Sequence, residues 1–420
     1  MNDRPEPLQP AATAPLMSER RVSLVGAMLV AIGPISMALF TPAMPEIVRA
    51  FGTTEAAVKM TLSLYFAGFA LAQLFCGPLS DGLGRKPVTF AFMGIYAVAS
   101  LIALLSPTIE VLIAARFLQG VGAAVGVAVS RAIVRDLFTH ERSARIMNLI
   151  GIILAVGPAF APTLGGLTME IAGWHAIFVL MLAAGCAVVL VVHFCMRETV
   201  ERDLSRIRPA ALIHSYGLLL RSGYFMLSSV VIAGAVGALY TQATVLPFIL
   251  MGRVGLSPSQ FGIGMLAQTG MYFTGSLIVR QLMKRYGAYR LVPVGLVFIG
   301  IGSIAVALSL TLLPLTFLSV MGPVGIYAFG ISFVTPAMMT ATLAPFPRIA
   351  GSASSLTGFM QMGAGLLGGT LAALIGDPVL GMAIIIPTLG AMAIVAWLIW
   401  HRLPEPALAT AVHPTPSGPV

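Results

Sequence analysis

Long apolar runs separated by short polar turns recur along the chain, and each is close to the ~20 residues that carry an α-helix across a bilayer. Twelve spans are predicted, at 22–44, 58–79, 88–105, 110–130, 144–169, 174–196, 224–250, 260–283, 291–312, 315–339, 350–375 and 380–400. The turn 77–88, GPLSDGLGRKPV, gathers charge and glycine between two runs that hold almost none. It is expected to be a hinge in water between the second and third spans. Asp81 and Arg85 can pair across one helical turn and Lys86 adds charge, while Gly77, Gly82 and Gly84 clear the side chains that would block a bend or a close helix approach.

Lys and Arg test the count of spans. With loops assigned alternately to two sides, Arg49, Lys59 and Arg253 fall on one side, Arg116 lies inside a span, and all the other Lys and Arg of the 24 fall on the opposite side. By the positive-inside rule the rich side is cytoplasmic, and both termini lie there. A miscounted span would flip every later loop and destroy the asymmetry.

Composition agrees with a bilayer rather than water. Of 420 residues, 58% are hydrophobic and 9% charged, where a soluble domain carries about 25% charge. The net charge of +9 could suit nucleic acid, but the cations sit between apolar runs without stacking aromatics, so lipid is the expected partner and nucleic acid is not. Cys76, Cys186 and Cys195 lie in apolar segments and read as packing residues. The histidines lack metal spacing, no Ser/His/Asp order or phosphate loop is present, and no enzyme, cofactor or metal site is expected. A gradient must then supply the energy of any transport.

The longest polar interval, 197–221, sits at the midpoint and reads as a linker between six-helix halves at 22–196 and 222–401, with disordered tails at 1–21 and 402–420. A faint repeat supports two halves. Gly275 with Arg280, Lys284 and Arg285 follows the eighth span as Gly77 with Asp81, Arg85 and Lys86 follows the second, although Val279 stands where Asp81 would recur. Likewise Gly368 and Gly369 in span eleven answer Gly165 and Gly166 in span five, a pattern of transporters built from repeats.

Three motifs carry candidate chemistry. Arg116, in RFLQGVGAA of span four, is a charge inside an apolar helix, where it serves a cavity or partner unless it snorkels to the surface. Span five holds GPAFAPTLGG, in which Pro158 and Pro162 bend the helix while Gly157, Gly165 and Gly166 admit a close neighbour. The turn 77–88 is the third.

The pattern G-x-x-x-D-x-x-G-R-K of that turn resembles the loop signature of the major facilitator superfamily, RFLQGVGAA a second signature, and GPAFAPTLGG the antiporter signature of its exporters. With FTPAMPEI in span one, GWHAIF in the fifth loop and AGSASSLTG in span eleven, the membrane part resembles the bicyclomycin/chloramphenicol-resistance branch of drug:proton antiporters. The resemblance implies an all-α fold of twelve transmembrane helices in two pseudo-symmetric halves, in the bacterial inner membrane. It implies a monomer that exports small amphipathic, drug-like molecules in exchange for protons; the alternative is proton-linked or facilitated uptake of a metabolite. It also implies gating by Gly77, Asp81, Gly84, Arg85, Lys86 and Asp136, with Asp81 facing the start of span eleven near Gly351. The cavity of such folds is lined by spans one, four, seven and ten, which gives Met37, Phe40, Arg116, Gln119, Tyr240, Gln242, Phe329 and Phe333 as candidate lining residues.

In one respect the chain departs from that branch. Relatives carry an Asp in span one four residues before a P-A-L-P proline; here the motif is Pro42-Ala43-Met44-Pro45 and the position is Ala38. No carboxylate is expected near the midplane, so coupling is expected to be weak or to use Glu46 with Arg116, and neutral or anionic compounds to be preferred over cations.

Overall fold

The computed structural model describes residues 16–138, 140–207 and 209–404, and among these the regular structure is entirely helical. Ten segments are long and apolar enough to cross a membrane. Two more complete the expected twelve. Gly173, with φ 74°, breaks the helix His140–Cys195 into α5 (140–172) and α6 (174–195). The helix Pro258–Tyr286 has 29 residues, but Gln260, Gln268 and Arg280 thin its apolar character. In chain order the other spans are α1 (Glu19–Phe40), α2 (Glu55–Leu83), α3 (Arg85–Leu104), α4 (Ile109–Leu137), α7 (Gly223–Pro247), α8 (Pro258–Tyr286), α9 (Val292–Leu312), α10 (Phe317–Leu343), α11 (Ala350–Ile375) and α12 (Pro378–Trp400).

Several boundaries shift from the sequence reading. The hinge at 77–88 contracts to one residue, because α2 runs helically to Leu83 and Gly84, with φ 104° and ψ 148°, alone makes the break before α3. A Cβ at Gly84 would also lie 2.6 Å from a Glu198 carboxylate oxygen, so both backbone and space call for glycine there. Within the expected tail, Ser18 caps α1 and Met17 is buried, so order begins before residue 22; residues 1–15 and 405–420 lie outside the described residues. The interval 197–221 is not merely a polar linker but contains a helix, Pro209–Arg221. Its Tyr216 hydroxyl donates to the Leu74 carbonyl of α2 at 2.7 Å, while Leu219 packs with Ala353 and Leu356 of α11. Burial pushes the Tyr216 phenol up to about 12, so it stays a protonated donor at ordinary pH.

Large apolar side chains point outward from α3 (Val98, Leu101), α6 (Leu190, Phe194), α9 (Val297, Ile304) and α12 (Val395, Ile399), where lipid can solvate them. Helices α1 and α7 turn mostly buried faces to their own halves. The repeated glycine pairs show how the halves are joined. A Cβ on Gly165 would overlap the Leu39 carbonyl of α1, and one on Gly166 the Pro258 carbonyl of α8. In the other half a Cβ on Gly368 would overlap Thr241 of α7, and one on Gly369 would meet Ser63 of α2. The first glycine of each pair thus seats its helix on the first helix of its own half, and the second seats it on the opposite half.

This division of labour predicts two separable phenotypes. Gly165→Ala overpacks one half and should lower the melting temperature of the detergent-solubilised protein, by a stability loss of about 1–3 kcal/mol. Gly166→Leu should instead part the two halves at the α5/α8 seam, read as a longer distance between spin labels flanking it. Equal melting losses without a change in that distance would mean that both glycines serve the same packing.

Candidate functional site

Between the halves lies a cavity of about 490 Å³ whose wall comes from both of them. Helix α1 contributes Pro34, Met37 and Ala38, with Thr41 just past its end; α7 contributes Tyr240 and Ala243; α8 contributes Gln268 and Tyr272; and α2 and α11 contribute Gln73, Gly358 and Gln361. The wall is apolar and aromatic, with amides and hydroxyls spaced along it. At the end where the Arg-rich turns lie, here the basic end, it continues into a vestibule of about 770 Å³ that shares Gln73, Val127, Arg131 and Ser354 with the cavity.

The opposite end is shut by direct contacts between the halves. Gly262 of α8 lies so close to α5 that a Cβ there would overlap the Pro162 carbonyl, and Thr163 donates to the Gly262 carbonyl at 2.9 Å. Glu170, near the end of α5, accepts from the Ser259 backbone N–H at 3.1 Å and from its hydroxyl at 2.8 Å, placing an anion on the first turn of α8. Lys59, near the start of α2, has a fully buried side chain. Its ammonium donates at 3.4 Å to the carbonyl of Gly376, the residue that ends α11, lies 3.5 Å from Glu55, and sits 5.2 Å over the Phe248 ring. An anion at a helix N-terminus and a cation at a helix C-terminus both complement the helix dipole. The two seams are therefore pinned by charges of opposite sign.

At the basic end the expected gating residues converge, but within one half. The Arg85 guanidinium is buried, pairs with Asp81, and donates to Asp136 at 3.0 Å and to the Ser80 hydroxyl at 2.7 Å. The Lys86 ammonium reaches the His193 carbonyl at 2.9 Å. Glu198, which sequence reasoning counted only as a linker charge, accepts from the backbone N–H groups of Arg85 and Lys86 at 2.9 and 3.0 Å and so caps α3. Asp81 and Gly351 line the same open vestibule, and a Cβ at Gly351 would meet nothing within 4 Å. The expected closure of Asp81 onto the start of α11 is thus absent from this conformation, which is open at the basic end. Gly77 has room, its nearest neighbour across the gap being the Ser355 hydroxyl at 4.0 Å.

Only Met37 and Tyr240 of the expected lining residues reach the cavity. Phe329 and Phe333 pack on Phe298 of α9, with ring centroids 4.9 and 6.1 Å away, because α10 turns Ala328, Ile331 and Thr335 inward at helical spacing and leaves its phenylalanines on the neighbouring face. Gln242 is buried behind the wall and accepts from Gln268 at 3.0 Å, so its neighbour rather than itself is presented. Phe40 is likewise buried, its ring 4.4 Å from the Arg116 guanidinium, and Tyr65 covers the group at 4.5 Å. Arg116 neither lines the cavity nor snorkels: it is fully buried, and donates to Gln119 at 2.7 Å, which in turn donates to Ser100 at 2.8 Å. Its position is roughly three turns beyond Val127, toward the shut end where α1 and α2 close over it. Glu46 pairs with Arg49 at 2.6 Å on the short helix Met44–Phe51, so the expected Glu46 and Arg116 couple is not formed. In the kink motif Pro162 lines the cavity, Gly157 lies 3.1 Å from Ile35 when given a Cβ, and the Pro158 side chain falls outside the described residues.

A model of the Major Facilitator Superfamily matches residues 26–369. The chain belongs to the major facilitator superfamily. Similar relatives include multidrug resistance protein MdtL of Salmonella newport, 30% identical over 93% of this chain and 97% of that one. Multidrug resistance protein D of Escherichia coli is 28% identical over 88% and 93% of the two chains, and the uncharacterized MFS-type transporter YdgK of Bacillus subtilis is 30% identical over 83% and 87%. Among solved structures, a bacterial homolog of the human lysosomal transporter Spinster, in an inward-facing and unoccupied conformation, aligns with a TM-score of 0.68 at 16% identity, covering 91% of this chain and 96% of that one. The human organic anion transporter MFSD10 aligns with a TM-score of 0.64, also at 16% identity, over 93% and 100% of the chains. The fold is therefore that of the superfamily, and the protein is a multi-pass membrane transporter rather than an enzyme.

Sequence reasoning passed over several residues of the transporter's path. Gln73, Gln268 and Gln361 are amides in apolar helices, a signal as visible as Arg116, while Lys59 and Glu170 were read only as charges near span ends. If the two helix-end contacts hold the seams, Lys59→Met and Glu170→Gln should each raise, several-fold, the alkylation rate of a cysteine placed at Met37. The label is an impermeant maleimide applied from the shut side to a variant lacking the native cysteines. Rates equal to the parent in both variants would assign the seal to glycine packing alone.

Proposed function

We propose that this transporter exports small amphipathic compounds across the bacterial inner membrane by alternating access, in exchange for protons. The observation that carries the reading is the cavity shared by both halves, apolar and aromatic with scattered amides, open at the basic end and shut at the other. Such a wall accepts varied shapes through flexible Met and Gln side chains and amphipathic Tyr rings. The relatives that bear the name multidrug resistance protein support the direction of transport. The excess of Lys and Arg assigns the basic end and both termini to the cytoplasm, so the conformation described is inward-open and takes its cargo from the cell interior. The unit of function is the monomer, in two halves flanking the linker, since one chain supplies the whole cavity.

Expression in a drug-hypersensitive strain tests the direction: accumulation of amphipathic fluorescent dyes should fall several-fold against an empty-vector control. Increased accumulation would instead favour uptake. Proton exchange is tested in everted vesicles. Among the described residues, Asp81 and Asp136 are the carboxylates that line the cavity or its vestibule. Asp81→Asn should cut substrate-induced proton movement at least several-fold at normal membrane expression, whereas Glu46→Gln, removing a carboxylate already paired with Arg49, should leave it near the parent value. The reverse order would place proton binding at the outer rim.

A further inference from the structure

The path is electrostatically one-sided. Among the described residues, Arg131 is the one charged side chain on the cavity wall, and it also lines the vestibule, so it stands at the junction of the two. No described carboxylate forms an ion pair with it. Among the described residues its hydrogen-bond partner is the Ser354 hydroxyl at 3.1 Å, across the gap from α4 to α11, which leaves most of the five guanidinium donors for a ligand. Beside it Gln73 is buried at 8% exposure, lines both spaces, and has an Oε1 without a hydrogen-bond partner. The vestibule leading inward carries Arg85, Arg131, Arg135 and Arg348 against Asp81 and Asp136. With Arg85 committed to both aspartates, the approach presents unbalanced positive charge to the cytoplasm.

These features select ligands by charge. A carboxylate or sulfonate entering an apolar cavity loses its hydration, and a fork of guanidinium donors is the side-chain group best shaped to replace it. An ammonium entering the same mouth meets a net positive field and finds no carboxylate among the described residues of the cavity wall. A positive, low-dielectric funnel also raises the local concentration of anions before they bind.

We propose that Arg131, with Ser354 and Gln73, forms an anion-recognition subsite at the inner mouth of the cavity, and that the preferred cargo is an amphiphile with an acidic head and an apolar or aromatic body. The head is held at Arg131, Gln73 supplies its amide to a polar group beside the head, and the body lies deeper, against Phe69, Met37 and Tyr240. The proposal rests on the reading of this cavity as the substrate site of an exporter. It goes beyond that reading in naming the charge of the cargo and the side chain that selects it.

The test uses the full-length protein in detergent and three probes on one scaffold: dansylglycine with a carboxylate, dansylglycinamide without charge, and dansylcadaverine with an ammonium. Binding is followed by dansyl fluorescence. The carboxylate should bind about tenfold more tightly than the amide, and the ammonium more weakly than either. Arg131→Gln should weaken the carboxylate about tenfold and leave the amide within about twofold, while Arg131→Lys should retain part of the preference. Binding of the ammonium as tight as that of the carboxylate would overturn the proposal. So would equal weakening of all three probes by Arg131→Gln, or binding of none of them. Cellular accumulation of the amide separates this outcome from the fate of the export reading. Lowered accumulation with equal binding of the three probes removes the subsite alone, whereas charge-selective binding with unchanged accumulation removes export and keeps the subsite.

Discussion

The structure depends on backbone-to-backbone contact between its two halves at the end away from the Arg-rich turns. Helices in lipid gain nothing from burying apolar side chains against one another in preference to the tails, so association relies on close packing and on hydrogen bonds that lipid cannot offer. Gly166 against the Pro258 backbone and Gly262 against the Pro162 backbone supply the closeness, and Gly369 adds a close approach to the Ser63 side chain. Because these contacts lie toward one end, the same packing that joins the halves leaves a cleft at the other. The cavity is thus a consequence of where the glycines are, and its wall is whatever the flanking helices turn toward the cleft.

Charge in this setting is confined to a few solutions. Arg85 is neutralised by two aspartates and steadied by a serine; Lys59 rests on a helix end and an aromatic face; Arg116 lies between two rings with an amide at one nitrogen. Each arrangement joins helices distant in sequence. Arg131, like Arg116, has no anionic partner among the described residues, but unlike Arg116 it stands on the cavity wall. The contrast between cations enclosed in the packing and an available one on the wall is what makes charge selection a physical expectation for the cargo.

Much of the fold was legible because membrane helices announce themselves by length and hydropathy, and because loop cations alternate in number. The glycine pairs were legible as a repeat, although their division between intra-half and inter-half contacts was not, since a glycine carries no mark of its partner. Arg85 with Asp81 and Asp136 came together as read. The cavity wall was the weaker part. Phe329, Phe333 and Phe40 were chosen for chemistry on helices that do line the cleft, but the face of a helix uniformly apolar around its circumference cannot be told from its sequence. Arg116 was placed by its rarity, and rarity does not distinguish a buried structural cation from one in solvent. Arg131 was missed for the converse reason: α4 runs seven residues further than the predicted span, to Leu137, and turns an apparent loop charge into a wall residue.

The short helix Pro209–Arg221 touches α2 through Tyr216 and α11 through Leu219, so it holds one helix from each half on the open side of the molecule. A strap across an open cleft limits amplitude. However far the halves swing during the cycle, their spread at this end is bounded by a 13-residue helix gripping both. The span of the mouth, and with it the upper size of any molecule that can enter, is then set away from the binding cavity, by a helix whose Leu212 and Ser215 line the vestibule alone.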